Sequence, residues 1–404
     1  MTETSSFEHA EPKGLSDGSK SHDMPGLKRR EFLAIGALPL AAAVGPVNLV
    51  SPRGASVKRS QQEPIRIGMI GAGTNLRTVQ IPAFRRIPGC EIVAVANRSL
   101  ESSQRVADEF NIPRAYANWE QLLDDDGIDA VSIGTWPYMH RTLTLAALER
   151  GKHVLTQARM ANNAQEARDM LEASLQHPDL VCQLVPTSMS YRIDNVLKRM
   201  IGEGYLGDVL SVELQRLQTR FPAVGGELDW RHDERFSGYN ILNIGASYEA
   251  MMRWLGRGNR VMAMSKLHVP YRSNAAGEPT SVVIPDHVDV LFELANGAQV
   301  HMRASETTGL STGNETWIHG SEGTIYVDRR QNVFAGRRGD SELTEVPNPR
   351  SEQAYNRVEE EFTNAIRGVE EITMAPFETG VRYMEWTEAV YRSSQTGQTV
   401  YLPV

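Results

Sequence analysis

The sequence predicts an α/β protein in two parts. A doubly wound parallel sheet comes first, followed by an α+β domain with a large open, mainly antiparallel sheet. Three observations carry this. Short, near-continuously apolar runs alternate with helical patterns from residue 65 to about 185, as strands buried between two layers of helices must. The first run ends in Gly71-Ala72-Gly73, glycine punctuation at a strand-to-helix turn. After Val185 the pattern changes to alternating segments separated by glycine turns, which is how strands covered on one face read.

Length and composition set the outer limits. The 404 residues allow two or three domains with a self-sufficient core. Lys and Arg total 42 against 50 Asp and Glu, a net charge of −8, so nothing draws the chain to nucleic acid or anionic lipid. The 41% hydrophobic and 23% charged content is that of a soluble globular protein. Two cysteines, Cys90 and Cys182, exclude a disulfide framework and a cysteine-based zinc cluster. His232, His268, His287, His301 and His319 are scattered without ligand spacing, and no metal is expected.

Residues 1–55 read as a polar, disordered n-region and a signal peptide. Arg29-Arg30-Glu31-Phe32-Leu33 opens an apolar run that reaches Val50 and contains Gly36, Pro39 and Gly45. The run is short of a comfortable membrane span, and Ala41-Ala42-Ala43 is a small-residue cleavage candidate. The string resembles a twin-arginine export signal. That resemblance implies the twin-arginine export machinery as partner and a periplasmic or extracellular location. The alternatives are an uncleaved anchor and a buried helix. Residues 56–63 read as a linker.

Residues 64–186 read as a Rossmann domain binding NAD(P). The strand at 65–70 runs into Gly71-Ala72-Gly73-Thr74-Asn75-Leu76. The first glycine permits the tight turn, the second lets backbone approach a pyrophosphate, and the following helix start favours phosphate. The third glycine position of the fingerprint is Leu76, so the motif is incomplete. A second strand, 92–96, ends in Asn97-Arg98-Ser99, 26 residues after Gly71. An acidic residue there would hold the 2′-hydroxyl of NAD. Asn and Arg in its place favour NADP over NAD. Helices are expected at 100–110, 119–124, 141–150 and 164–175, and further strands at 130–133, 153–155 and 180–185.

At this point the chain resembles the Gfo/Idh/MocA oxidoreductase family, in particular its glucose–fructose oxidoreductase branch, which also carries twin-arginine signals. The matching pieces are Gly71-Ala72-Gly73, Thr135-Trp136-Pro137-Tyr138-Met139-His140, Gly151-Lys152-His153-Val154-Leu155, Trp230-Arg231 and Ser237-Gly238. The resemblance implies NADP or NAD, held tightly if export precedes use, and a sugar-like or cyclic polyol substrate. It implies cofactor contacts at Thr135, Pro137 and His140, with Gln157 near the nicotinamide ribose. It also implies a homo-oligomer through the open sheet.

The departures from the family concern its acid–base groups. Where the family has Glu-Lys-Pro, this chain has Gln157-Ala158-Arg159, so the usual lysine is absent. Arg159 is a fixed cation, suited to clamping a substrate oxygen and not to acting as a base. The family's later Asp and His are replaced by Asn243 and Ser247.

Residues 187–404 read as the substrate and oligomerisation domain. A helix is expected at 193–201, and strands at 209–217, 261–268, 287–294, 298–305, 315–319 and 324–327. Closing helices are expected at 355–366 and 380–391. With lysine missing, His140, Tyr248 and Glu249 are the titratable candidates for proton transfer, with Arg159 beside them. Core packing is the alternative for Tyr248, and pairing with an arginine the alternative for Glu249. The leading expectation is NAD(P)-dependent hydride transfer on a sugar-like substrate. The alternatives are a redox-neutral glycosidase or epimerase that retains its dinucleotide, and a non-catalytic dinucleotide-binding protein.

Overall fold

A computed structural model describes residues 63–239 and 241–404. The expected signal, and all but the last residue of the expected linker, lie outside the described residues.

The first sheet is wholly parallel, in the order β3-β2-β1-β4-β5-β6. Strand β1 (Ile65–Ile70) leads through the glycine turn into a π turn (Leu76–Gln80) continued by α1 (Ile81–Phe84). Then come β2 (Cys90–Ala96), α2 (Leu100–Phe110), β3 (Arg114–Tyr116), α3 (Trp119–Leu123) and β4 (Ala130–Ile133). The half closes with α4 (His140–Glu149), β5 (His153–Thr156), α5 (Ala164–Gln176) and β6 (Cys182–Leu184). Ile65, Ile67 and Met69 are fully buried, as a central strand covered on both faces requires. Side-chain caps from Ser99, Asn118 and Asn163 start α2, α3 and α5, each satisfying a helix-end N–H that would otherwise be orphaned.

The second half contains α6 (Tyr191–Gly202), β7 (Val209–Leu217), α7 (Glu234–Ser237), α8 (Ile244–Leu255) and β8 (Gly258–Lys266). A small hairpin, β9 (Tyr271–Ser273) and β10 (Pro279–Ser281), precedes β11 (His287–Leu294), β12 (Gln299–Ser305), β13 (Glu315–Gly320) and β14 (Gly323–Val327). Strands β15 (Val333–Arg337) and β16 (Thr344–Glu345), helices α9 (Val358–Ile366) and α10 (Phe377–Thr396), and β17 (Val400–Tyr401) complete it. Nine of these strands form one sheet, β16-β15-β14-β13-β7-β12-β11-β8-β17. It is antiparallel except where β7 meets β12.

One face of this sheet packs Val212, Val261, Val290, Val300 and Ile318 against α6, α8 and α10. The other face carries a cross-strand row in register: Met262, Leu291, His301, Glu213, Trp317, Tyr326 and Phe334. Strand alternation puts every member of that row on the uncovered side.

Helix α9 packs across the boundary expected at residue 187. Its Val358 and Phe362 are buried in the core of the first sheet with Ile65, Ile67 and Met69. Helix α10 also spans the two halves. Gly380 lies so close to β6 that a Cβ would meet Leu184 Cδ1 at 2.4 Å, and Glu388 Oε2 accepts from Ala164 N–H at 2.9 Å.

Candidate active site

The glycine turn is built as a close approach. Gly71 has φ 74°, and a Cβ there would meet the Thr135 backbone nitrogen at 2.9 Å, so only glycine fits. Gly73 faces open space, its nearest neighbour being Gly71 O at 4.0 Å. The missing third glycine has a structural answer. Leu76 packs onto Gly134 after β4, where a Cβ would lie 2.1 Å from Leu76 Cδ1. The small residue needed for helix–strand contact has moved from the helix to the strand.

The other expected cofactor contacts divide. Asn97 Oδ1 accepts from Ala72 N–H at 2.7 Å and its Nδ2 donates to Ser102 O, so it braces the turn. Ser99 caps α2. Both side chains brace the loop through these bonds. Arg98 is exposed and has no partner among the described residues. Thr74 and Asn75 are exposed on the turn, and Asn75 Oδ1 accepts from Gln157 Nε2 at 2.9 Å across the sheet top. Pro137 is buried, and the Thr135 hydroxyl is buried without a partner. An open glycine turn, an orphaned hydroxyl at the carboxyl end of β4 and a free cation after β2 fit a dinucleotide.

The turn after β5, helix α8 and helix α10 enclose a cavity of about 140 Å³ with Arg159, Asn243, Glu249 and Tyr383 on its wall. A neighbouring cavity of about 290 Å³ shares Arg231 and Asn243 and adds Asp229, Arg272 and Glu306. Asn243 takes the left-handed conformation (φ 58°), which asparagine tolerates. A strap over residues 229–239 adds Trp230 and Arg231 to the wall. Arg159 Nη1 donates to Ser237 O at 2.6 Å. A Cβ on Gly238 would sit 2.0 Å from Asn162 O. Trp136 stacks on Trp230 at 5.9 Å, and Phe236 packs against Trp136 and Tyr138.

His140 does not face this cavity, which corrects its assignment to proton transfer and cofactor contact. It is fully buried. Its Nδ1 lies 2.9 Å from Arg159 O, and its Nε2 lies 2.9 Å from Thr135 O. The ring staples the end of β4 to the turn after β5, and burial holds its pKa below the ordinary value. Tyr248 is corrected too. It stacks on Trp386 at 4.4 Å, and its oxygen accepts from Gly258 N–H at 2.8 Å. Burial pushes its phenol up to about 12. Helical periodicity is the reason: Gly245, Ala246 and Glu249 share the cavity face of α8, whereas Tyr248 faces the sheet.

Glu249 lines the cavity and is also paired. Arg253 Nη1 donates to Oε1 at 2.9 Å, and Thr187 N–H donates at 3.0 Å. Burial outweighs both and pushes the carboxyl up to about 7. Arg159 has no carboxylate partner among the described residues; burial pulls its guanidinium down to about 9, and neighbouring Arg231 adds to the shift. Sequence reasoning missed Tyr383, on α10. Its oxygen accepts from Met160 N–H at 2.5 Å, which leaves its own O–H free to donate, and burial raises its pKa. No local motif marks it. Ser247, at the family's histidine position, accepts from Arg216 Nε at 3.2 Å.

A parallel sheet with an open glycine turn, joined along a cavity to a nine-stranded sheet, defines a two-domain dinucleotide-dependent oxidoreductase. Residues 65–183 match the description "Oxidoreductase family, NAD-binding Rossmann fold", and residues 195–326 match "GFO/IDH/MocA C-terminal domain". The chain belongs to the Gfo/Idh/MocA family and is an NAD(P)-dependent oxidoreductase. It is 25% identical over 306 residues to levoglucosan dehydrogenase of Pseudarthrobacter phenanthrenivorans, covering 68% of this chain and 78% of that one. It is 27% identical to D-xylose 1-dehydrogenase (NADP(+)) 2 of Haloferax volcanii, covering 83% and 99%. The fold superimposes on a levoglucosan dehydrogenase solved with NADH and L-sorbose with a TM-score of 0.73. That match has 22% identity and covers 84% and 99% of the two chains.

Proposed function

We propose that this enzyme oxidises a hydroxyl-bearing carbon of a sugar-like or cyclic polyol substrate, or reduces the corresponding carbonyl, with Glu249 as the proton-transfer group. The observation that carries it is a carboxyl poised at about 7 on the wall of the cavity, where the family's lysine, aspartate and histidine are missing. The open turn at Gly71 and Gly73, with Thr135, Asn75 and Gln157, holds the dinucleotide, and Arg98 selects NADP. When bound, the nicotinamide supplies hydride acceptance and donation.

The chain's own residues do the rest. The Tyr383 O–H donates to the reacting oxygen, and Arg159 anchors a second substrate oxygen. In oxidation the hydroxyl proton passes to the Glu249 carboxylate as the carbon–oxygen double bond forms; in reduction it returns. The exposed Trp136 ring, stacked on half-buried Trp230, supplies apolar wall against a sugar ring. Names of relatives as dehydrogenases of levoglucosan and D-xylose support this substrate class.

Mass spectrometry of the denatured protein tests for a retained dinucleotide. Nicotinamide absorbance then follows turnover on a panel of aldoses and polyols. A protein that neither retains nor binds a dinucleotide would overturn the reading. We also propose export through the Arg29-Arg30 signal, and self-association through the uncovered sheet face.

A further inference from the structure

The cavity wall carries a cation that nothing answers. Arg159 Nη1 donates to Ser237 O, but its buried Nε has no partner. Three nearby arginines are paired with carboxylates. Arg253 bonds Asp194 and Glu249, each at 2.9 Å. Arg272 reaches Glu306 at 3.1 Å, and Arg231 reaches Asp229 at 3.3 Å. Glu249 lines the same cavity, but its charge is already answered by Arg253 and the Thr187 N–H.

A second guanidinium lies on the same wall. Arg231 also lines the cavity, and the Trp230 ring lies 5.9 Å from the Arg159 guanidinium and 4.4 Å from that of Arg231. Two cations on one wall repel, and the buried one lacks a counter-charge. The depressed pKa of Arg159 reflects the same cost. An enclosed charge is normally compensated by a partner, and no described residue supplies one.

We infer that the substrate itself carries a carboxylate, held by Arg159 beneath Arg231, so that the site takes sugar acids of the uronate or aldonate type in preference to neutral sugars. This rests on the hydride-transfer reading and names its substrate class. A monoanion fits better than a phosphate. Arg231 is already paired with Asp229, so about one positive charge is left over, and a dianion would meet the Glu249 carboxyl on the same wall. The planar fork of a guanidinium suits a carboxylate geometrically.

The test uses the full chain loaded with NADP. Isothermal titration compares D-glucuronate with D-glucose, D-galacturonate with D-galactose, and D-gluconate with D-glucitol, alongside acetate and D-glucose 6-phosphate. At least one acid should bind about tenfold or more tightly than its neutral counterpart, the scale of one charge-assisted pair, and acetate should compete with it. Arg159→Gln should abolish the difference and Arg159→Lys should restore part of it. Arg231→Gln, at an exposed position, should weaken it and decides the matter if Arg159→Gln fails to fold. The inference is overturned if neutral sugars bind as well as the acids, or if the sugar phosphate binds more tightly than the acids. It is equally overturned if neither acids nor acetate bind, or if the acid preference survives both glutamine variants. Dinucleotide binding is measured on the same samples. Its loss with acid binding intact sinks the oxidoreductase assignment, and the opposite result sinks this inference alone.

Discussion

Replacing Glu249 by glutamine tests the proton-transfer assignment. Burial raises this carboxyl to about 7 although Arg253 and the Thr187 N–H both pull it down. With a midpoint there, about one group in eleven is ionised at pH 6 and about ten in eleven at pH 8. Alcohol oxidation needs the carboxylate, so its kcat should rise roughly tenfold between those values and then level off. Carbonyl reduction needs the acid and should fall over the same interval. Glu249→Gln should flatten both profiles and lower turnover by about 100-fold or more, with dinucleotide affinity changed only a few-fold. Arg253 keeps Asp194 as partner in the variant, so the fold should survive with a loss of about 1–3 kcal/mol, measured by thermal melting. Initial rates in both directions across pH, on native and variant protein, supply the data. A native profile flat between pH 6 and 8, or a glutamine variant within tenfold of native, would refute the reasoning and leave Tyr383 as the alternative.

Four further outcomes are expected. Arg98→Ala should weaken NADP binding by about 1.5–3 kcal/mol and NAD binding much less; equal losses in titration would remove Arg98 from the phosphate. Glu359 is buried with Oε1 unpartnered, and burial raises it to about 7. Its folded pKa exceeds its unfolded one, so the stability it confers is present in acid and lost as pH rises from about 4.5 to 7. Glu359→Gln should therefore stabilise by on the order of 2–3 kcal/mol at pH 8 and little at pH 4 in denaturant melts; an equal gain at both would contradict this. Lys at both Arg29 and Arg30 should leave precursor in the cytoplasm by fractionation, and unchanged export would exclude the twin-arginine route. Leu291→Arg, in the middle of the uncovered row, should shift light-scattering mass toward the monomer if that face joins copies.

Elements were legible where local pattern and tertiary demand agree. The parallel strands show because both their faces are buried, and β7 and β11 show because only alternate residues are. Strand β3 escaped detection because three residues, Arg114-Ala115-Tyr116, carry no periodicity. Strand β15 escaped because Gly336 and Arg337 dilute its apolar signal. The site was harder. The family resemblance singled out Arg159 and Glu249, which line the cavity, but Tyr248 adjoins Glu249 in sequence and points the opposite way. The orientation of His140 depends on three carbonyls, two of them 19 and 20 positions downstream. Tyr383 reaches its partner Met160 across 223 positions, a separation at which no motif operates.

The placement of α10 bears on when the enzyme comes into being during synthesis. The six parallel strands are complete at Leu184, yet the cavity lacks the Tyr383 wall until α10 emerges about 200 residues later. Strand β17 then pairs with β8, and Arg168 Nη1 donates to Val404 O. At ordinary elongation speeds, roughly 10–40 s separate those stages on the ribosome. Helix α9, whose Val358 and Phe362 fill the core of the first sheet, also emerges only within that interval. The core of the first sheet and the wall of the cavity are therefore both completed by residues 358–383, long after the six parallel strands themselves have been made.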